Sequence, residues 1–218
     1  MKIIILNGSP RNNGATSKIL HEMERQLLEL GATVEFVNIS ELNFSPCVGC
    51  CSCYRTGTCH IKDQAESLSI KIGEADGLII GSPTYASNVS GQLKQFIDRG
   101  HFVIEQLLFG KYAVSVATGE NYGNSDTSKV IVKLLQYSGA KLSGKIISKV
   151  PFNSSPKYNR QFRIVAKKLY SDIQHQKSYP LQMIIHKVVF DFGIKPFVLR
   201  KGEQYTGVLS RWKTENII

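Results

Sequence analysis

Lys2-Ile3-Ile4-Ile5-Leu6-Asn7-Gly8-Ser9-Pro10-Arg11-Asn12-Asn13-Gly14-Ala15-Thr16-Ser17 is the stretch on which the fold turns. Residues 2–6 are a short β-branched run stopped by the turn-forming Asn7-Gly8-Ser9-Pro10, the pattern of a strand buried on both faces. A helix over 16–30 follows: Ile19, Leu20, Met23, Leu27, Leu28 and Leu30 recur at helical spacing, and Gly31 closes it. Further along the chain the strand–loop–helix unit returns. Strands are predicted over 33–39, 77–81, 112–117 and 144–149, and helices over 63–74, 91–108 and 125–138. Five strands alternating with four helices predict an α/β chain, a parallel sheet covered on both faces. The polar loops 7–17, 82–90 and 118–124 each follow a strand, so all three fall on the sheet edge where such folds bind ligands.

The 218 residues suit one domain plus an extension. The formal charge of +10 first suggests nucleic acid, a membrane surface or an anionic substrate. Its distribution narrows that. Residues 1–150 carry 15 basic and 13 acidic side chains, whereas 151–218 carry 12 and 4. We therefore divide the chain into a domain over 1–150 and a basic extension over 151–218, helical over 157–176 and 180–190 and without clear period beyond. The basic helix around Arg163, Lys167 and Lys168 is read as amphipathic, with an acidic redox partner as a further use. No nucleic-acid motif accompanies the charge. No apolar run is long enough to span a membrane, and the short run after Met1 lacks the form of an export signal, so the expected location is the cytoplasm, where thiols stay reduced.

All five cysteines fall within the loop at 40–61: Cys47, Cys50, Cys51, Cys53 and Cys59. A disulfide framework would spread them. A connection of this length between strand and helix is usually functional. Without Cys51 the run is C-x2-C-x2-C-x5-C, a compact quartet of the kind that holds an iron–sulfur cluster. The residues alone leave three occupants open: a cluster, a zinc ion, or unliganded thiols.

Loop 7–17 offers the hydroxyls of Ser9, Thr16 and Ser17, the Arg11 guanidinium and the amides of a helix start, a cradle for a phosphate. The dinucleotide pattern G-x-G-x-x-G and the G-K-[ST] of nucleotide-triphosphate loops are both absent, which favours a terminal monophosphate. A helix turn merely capped by Thr16 or Ser17 is the simpler alternative. Ile-Leu-Asn-Gly-Ser-Pro-Arg leading into this loop, followed by Gly81-Ser82-Pro83-Thr84-Tyr85, resembles the flavodoxin-like NAD(P)H-dependent FMN reductase family over about residues 1–150. The cysteine run resembles that of its iron–sulfur flavoprotein branch.

That resemblance implies a flavodoxin-like three-layer sandwich, with a five-stranded parallel sheet and a C-terminal, mostly helical extension. It implies FMN, with Ser9, Arg11, Asn13, Thr16 and Ser17 at the phosphate. Pro83, Thr84, Tyr85, Ala86 and Asn88 would edge the isoalloxazine, with Thr118, Gly119, Glu120 and Tyr122 as the third wall. It implies a 4Fe-4S cluster on Cys47, Cys50, Cys53 and Cys59, with Cys51 a bystander. NAD(P)H or ferredoxin is the implied donor and a quinone, oxygen species or other small electrophile the acceptor, in a homodimer or homotetramer. The alternatives are a plain NAD(P)H-dependent FMN or quinone reductase, a non-catalytic flavodoxin-type carrier, and a zinc-stabilised interaction protein. No Ser–His–Asp or H-E-x-x-H pattern supports hydrolysis, and no catalytic acid or base is assigned. His21 and His101 are read as surface or capping residues, His60 as a neighbour of the cysteine ligands, and Asp63, Glu74 and Asp76 as solvated charges.

Overall fold

The computed structural model describes residues 1–150 and 156–218, so the boundary placed at Pro151 lies outside the described residues. Strand β1 (Lys2–Asn7) leads to helix α1 (Ala15–Glu29) and β2 (Thr33–Asn38). The cysteine loop carries a short helix α2 (Ser52–Thr56), then come α3 (Gln64–Glu74), β3 (Gly77–Pro83) and α4 (Gly91–Arg99). Strand β4 (Tyr112–Gly119), α5 (Asn124–Tyr137) and β5 (Lys141–Lys149) complete the sheet, whose spatial order is β2-β1-β3-β4-β5. The described pairings between strands are all parallel.

The apolar runs of β1 and β3 are continuous because both faces are covered. Alternate residues point to opposite layers. Ile4, Leu6, Leu78 and Ile80 pack with Leu68, Leu93, Phe96 and Ile131 of α3, α4 and α5. Ile3, Ile5, Ile79 and Val114 pack on the other side with Leu20, Met23 and Leu27 of α1. Helix α6 (Pro156–Gln174) completes this second face, burying Phe162, Ala166 and Leu169 against the sheet.

Two stretches depart from the sequence reading. The helix expected over 91–108 stops at Arg99. A side chain on Gly100 would lie 2.2 Å from the Phe102 ring, and His101 takes a left-handed φ of 58°. The chain therefore turns back, and Phe102, Leu107 and Leu108 are buried by turns. Beyond α7 (Pro180–Val189), the aperiodic segment is mostly helical: a π-helical turn at Phe190–Ile194, α8 (Lys195–Lys201), a 3-10 turn and α9 (Thr206–Thr214). These pieces are too short to show a period. Their apolar residues converge on a small core of Phe190, Ile194, Val198, Tyr205, Val208 and Trp212, to which the main body contributes Tyr54, Val103 and Ile104. Among the described residues no helix is long and apolar enough to cross a membrane.

Candidate functional site

Strands β1 and β3 are adjacent, but their onward helices α1 and α4 cover opposite faces, so the chain diverges at their carboxyl ends. Three loops meet there and are bonded to one another. Gly8 donates its amide to Gly81 O (2.8 Å), and a Cβ on Gly8 would stand 2.9 Å from that same oxygen, which only glycine permits. Ser90 donates its hydroxyl to Gly8 O (2.5 Å). The Thr84 amide donates to Thr118 O (2.7 Å), and the Thr16 and Thr118 hydroxyls share a hydrogen bond of 2.7 Å. Asn7 organises the first loop: its amide group donates to Ser17 Oγ and Asn38 Oδ1, and its Oδ1 accepts the Ser9 amide.

Between these loops lies a cavity of about 430 Å³. Ser9, Arg11 and Thr16 line it from the first loop. Pro83, Thr84, Tyr85 and Ala86 line it from the second, and Thr118, Gly119, Glu120 and Tyr122 from the third. Three other sequence candidates are not among its lining residues. Ser17 is buried, donating its hydroxyl to Arg11 O (2.7 Å). Asn88 shapes the second loop, its carbonyl accepting from the Tyr85 amide and the Thr127 hydroxyl. Asn13 is exposed. Ala15, Ser87, Asn121 and Val150 also line the cavity. They follow from neighbouring positions in the same loops, and Val150 lies just past β5, where no sequence signal pointed.

Several features suit this cavity to a polar, anionic ligand. Helix α1 begins at Gly14 with no side-chain cap, leaving its first amides open beside Ala15 and Thr16. The Arg11 side chain is exposed and meets no carboxylate among the described residues. Thr84 Oγ1 is buried with no hydrogen-bond partner among the described residues, a loss that a ligand polar atom would repair. Ala86 and Ser87 both hold positive φ (49° and 60°) in a tight turn closed by reciprocal Tyr85–Asn88 backbone bonds. Two non-glycine residues in this state hold backbone strain at the cavity rim.

The cysteine loop lies beside α3, α4 and the C-terminal helices. All five cysteines are free: Cys47, Cys50 and Cys51 exposed, Cys53 half-buried and Cys59 buried. Arg99, with its side chain 1% exposed, holds both ends of the loop: it donates to Ser45 O (2.6 Å) and Ile61 O (3.2 Å) and pairs with Asp63 (2.9 Å). Asp63 also caps α3 through the Ala65 amide. Burial opposes its ionisation, but the Arg99 hydrogen bonds, with the Ser45 amide, hold its carboxyl below the usual range. Asp63 is thus a structural ion pair and not a solvated charge.

His101 is likewise no surface residue. It is buried between Glu105 (2.7 Å) and Glu66 (3.0 Å), one on each ring nitrogen. Although burial opposes its charge, hydrogen bonding with Cys53 and Glu105 and the two carboxylates push it up to about 11. Glu66 in turn accepts the Cys59 amide (3.1 Å), and His60 Nδ1 lies 3.2 Å from Cys50 Sγ. Sequence reasoning missed Arg99 altogether, because its partners lie 36 to 54 positions away.

A β2-β1-β3-β4-β5 sheet with a polar cavity at its switch point defines the flavodoxin-like class. Within that class, the profile of the NADPH-dependent FMN reductases matches residues 1–161, and the chain belongs to that family of flavin-dependent oxidoreductases. An iron–sulfur flavoprotein of Clostridioides difficile (strain 630) is 36% identical over 225 aligned positions, covering 100% of both chains. One from Methanocaldococcus jannaschii is 36% identical over 136, covering 60% of this chain and 69% of its own. The solved NAD(P)H:quinone oxidoreductase of Methanothermobacter marburgensis shares the fold, with a TM-score of 0.62 at 17% identity over 82% of this chain and 98% of its own.

Proposed function

We propose that this chain is an FMN-dependent iron–sulfur oxidoreductase that moves electrons between NAD(P)H or ferredoxin and a small acceptor such as a quinone or an oxygen species. The observation that carries the flavin part is the cavity at the switch point, lined both by Thr84, whose hydroxyl has no partner among the described residues, and by an uncapped helix start. Ser9, Arg11 and Thr16 would hold the phosphate, the amides of α1 adding their dipole. Loop 84–88 would edge the ring. The amides of Ala86 and Ser87 point to no protein acceptor among the described residues and are free to donate to it. Thr118, Gly119, Glu120 and Tyr122 would close the third side. When bound, FMN supplies one- and two-electron chemistry and a cluster supplies single-electron exchange.

The chemistry of the donor set supports a cluster on Cys47, Cys50, Cys53 and Cys59: free thiols in one compact run, and a full-length relative that is named for such a group. A single zinc ion would require its sulfurs within about 4 Å of one another, since Zn–S is ~2.3 Å. Among the described residues the one set of three or more potential ligand atoms lying within 4.8 Å of one another is Cys53, His101 and Glu105, which holds a single sulfur. The exposure of Cys47 and Cys50 favours, as second reading, an FMN or quinone reductase without a cluster. A homo-oligomer is supported by the exposed apolar residues of α7.

Anaerobic purification followed by flavin, iron and sulfide analysis tests the proposal. One FMN with about four irons and four sulfides per chain supports it. Flavin without iron leaves the second reading, and protein without flavin overturns both.

A further inference from the structure

We propose that the C-terminal helix α9 is the positioning device for the middle of the cysteine loop, holding Cys53 in place through Tyr205, Thr206 and Gly207. The effect on iron rests on the cluster reading above; the effect on Cys53 itself does not.

Helix α2, which carries Cys53, packs against the start of α9 through three contacts. Gly207 crosses the end of α2 backbone to backbone: a Cβ there would stand 2.1 Å from the Gly57 nitrogen. The Thr206 hydroxyl donates to Arg55 O (2.8 Å). Tyr205 stacks on Tyr54, the residue after Cys53, with ring centroids 4.7 Å apart and planes 19° apart, and Phe197 sets its edge against Tyr205 from α8.

The far end of α9 holds the other wall of the same nest. Trp212 is fully buried and donates its indole N–H to Ile104 O (3.1 Å). Glu105, the residue after Ile104, lines one small cavity together with Arg211 and His101. A ring nitrogen of His101 and a carboxylate oxygen of Glu105 lie within 4.8 Å of Cys53 Sγ. One nine-residue helix therefore fixes both the backbone that presents Cys53 and the turn that faces its sulfur.

Cys59 is held differently. Its amide goes to Glu66, and Arg99 sits beside its sulfur, with no C-terminal residue in either contact. Loosening the start of α9, at Tyr205 and Thr206, should therefore release Cys53 and leave Cys59 alone. That selectivity separates positioning from general stability.

The test uses the full-length, cluster-free chain under reducing conditions, pulse-alkylated with iodoacetamide and read cysteine by cysteine by peptide mass spectrometry. Tyr205→Ala and Thr206→Val should each speed alkylation of Cys53 about fivefold, the scale of one lost stacking pair or hydrogen bond. Cys59 should stay slow and Cys47 unchanged. Tyr205→Phe, which keeps the stack, and Thr206→Ser, which keeps the hydroxyl, should behave as the parent. After anaerobic reconstitution, Tyr205→Ala should take up less iron at unchanged FMN affinity. Unchanged Cys53 reactivity in both disruptive variants overturns the proposal, and so does equal acceleration of Cys59. If Tyr205→Ala does not fold, Thr206→Val carries the test. If the parent takes up no iron while the Cys53 pattern holds, the cluster reading fails and the positioning role stands.

Discussion

Thr16 at the start of α1 and Thr118 at the end of β4 lie 102 positions apart and share one buried hydrogen bond of 2.7 Å between their hydroxyls. This bond joins the first and third loops beneath the cavity. Thr118→Val keeps the shape but leaves the buried Thr16 hydroxyl without a partner, at a cost of about 1–2 kcal/mol. Urea unfolding should show that loss. FMN affinity should fall about tenfold, because the cavity wall and the helix start then move independently. Equal affinities for the two proteins would remove these threonines from the flavin site.

Ala86 provides a second test, with opposed effects. Its φ of 49° costs an L-residue roughly 1–2 kcal/mol. Ala86→Gly relieves that strain but gives the unfolded chain more freedom, worth about 0.4–1 kcal/mol. The net expectation is a small gain, about 0.5 kcal/mol, in the cofactor-free chain, read as a higher urea midpoint. If the turn is preorganised for the flavin ring, FMN titration should show weaker binding in the same variant.

The alternation of strands, the three loops and the compact cysteine run were legible because each is a local pattern. Ile3 to Leu6 announces a strand buried on both faces, and Asn7-Gly8-Ser9 announces its turn. What escaped was set by long-range packing. His101 looks like a polar residue on an amphipathic helix until Gly100 and Phe102 turn the chain and bury it between Glu66 and Glu105. Asp63 reads as a solvated carboxylate because nothing near it announces Arg99. The last 28 residues show no period because they bury Trp212 from several short helical turns instead of one long face.

The Arg99–Asp63 pair carries a pH dependence. The folded-state pKa of Asp63 is depressed, so its stabilising contribution is complete above the unfolded value near 3.8 and is lost as pH falls through the lower folded value. The pair's contribution to stability should therefore begin to fall below about pH 3.8. Asp63→Asn leaves a buried guanidinium without its counter-charge and should cost about 3 kcal/mol at neutral pH. The variant should also lose Asp63's share of the acid-side slope. Urea unfolding of both proteins at pH 7 and pH 3 measures the difference, and parallel pH profiles would contradict it.

Helix α7 and the turn after it expose Leu181, Ile184, Ile185, Val188 and Phe192, which recur at three- and four-residue steps along one stripe. Phe192 is 83% exposed. Contiguous apolar patches of this kind mark interaction surfaces, and a stripe at helical spacing suits antiparallel packing on its twin in a second copy. Ile185→Glu with Val188→Glu should shift the sedimentation coefficient to that of a 24.3 kDa chain and leave FMN binding intact. If the parent already sediments as a monomer, the stripe is not a self-association face.

The ligand assignment within the cysteine run is decided by Cys51 against its neighbours. Cys51 stands immediately before α2 with a left-handed φ of 57°, its thiol donating to Gly49 O (3.5 Å). Such a backbone suits glycine, so Cys51→Gly relieves roughly 1 kcal/mol of strain and removes only a thiol. If Cys51 is a bystander, that variant keeps its iron. Cys53→Ser and Cys59→Ser replace the two sulfurs the surrounding structure holds in place, one facing His101 and Glu105 and the other beside Arg99. Each should lose most of the iron and retain FMN, since neither lines the cavity at the switch point. Iron analysis after identical anaerobic reconstitution distinguishes the outcomes. Loss of iron in Cys51→Gly together with its retention in Cys53→Ser would move the third ligand from Cys53 to Cys51.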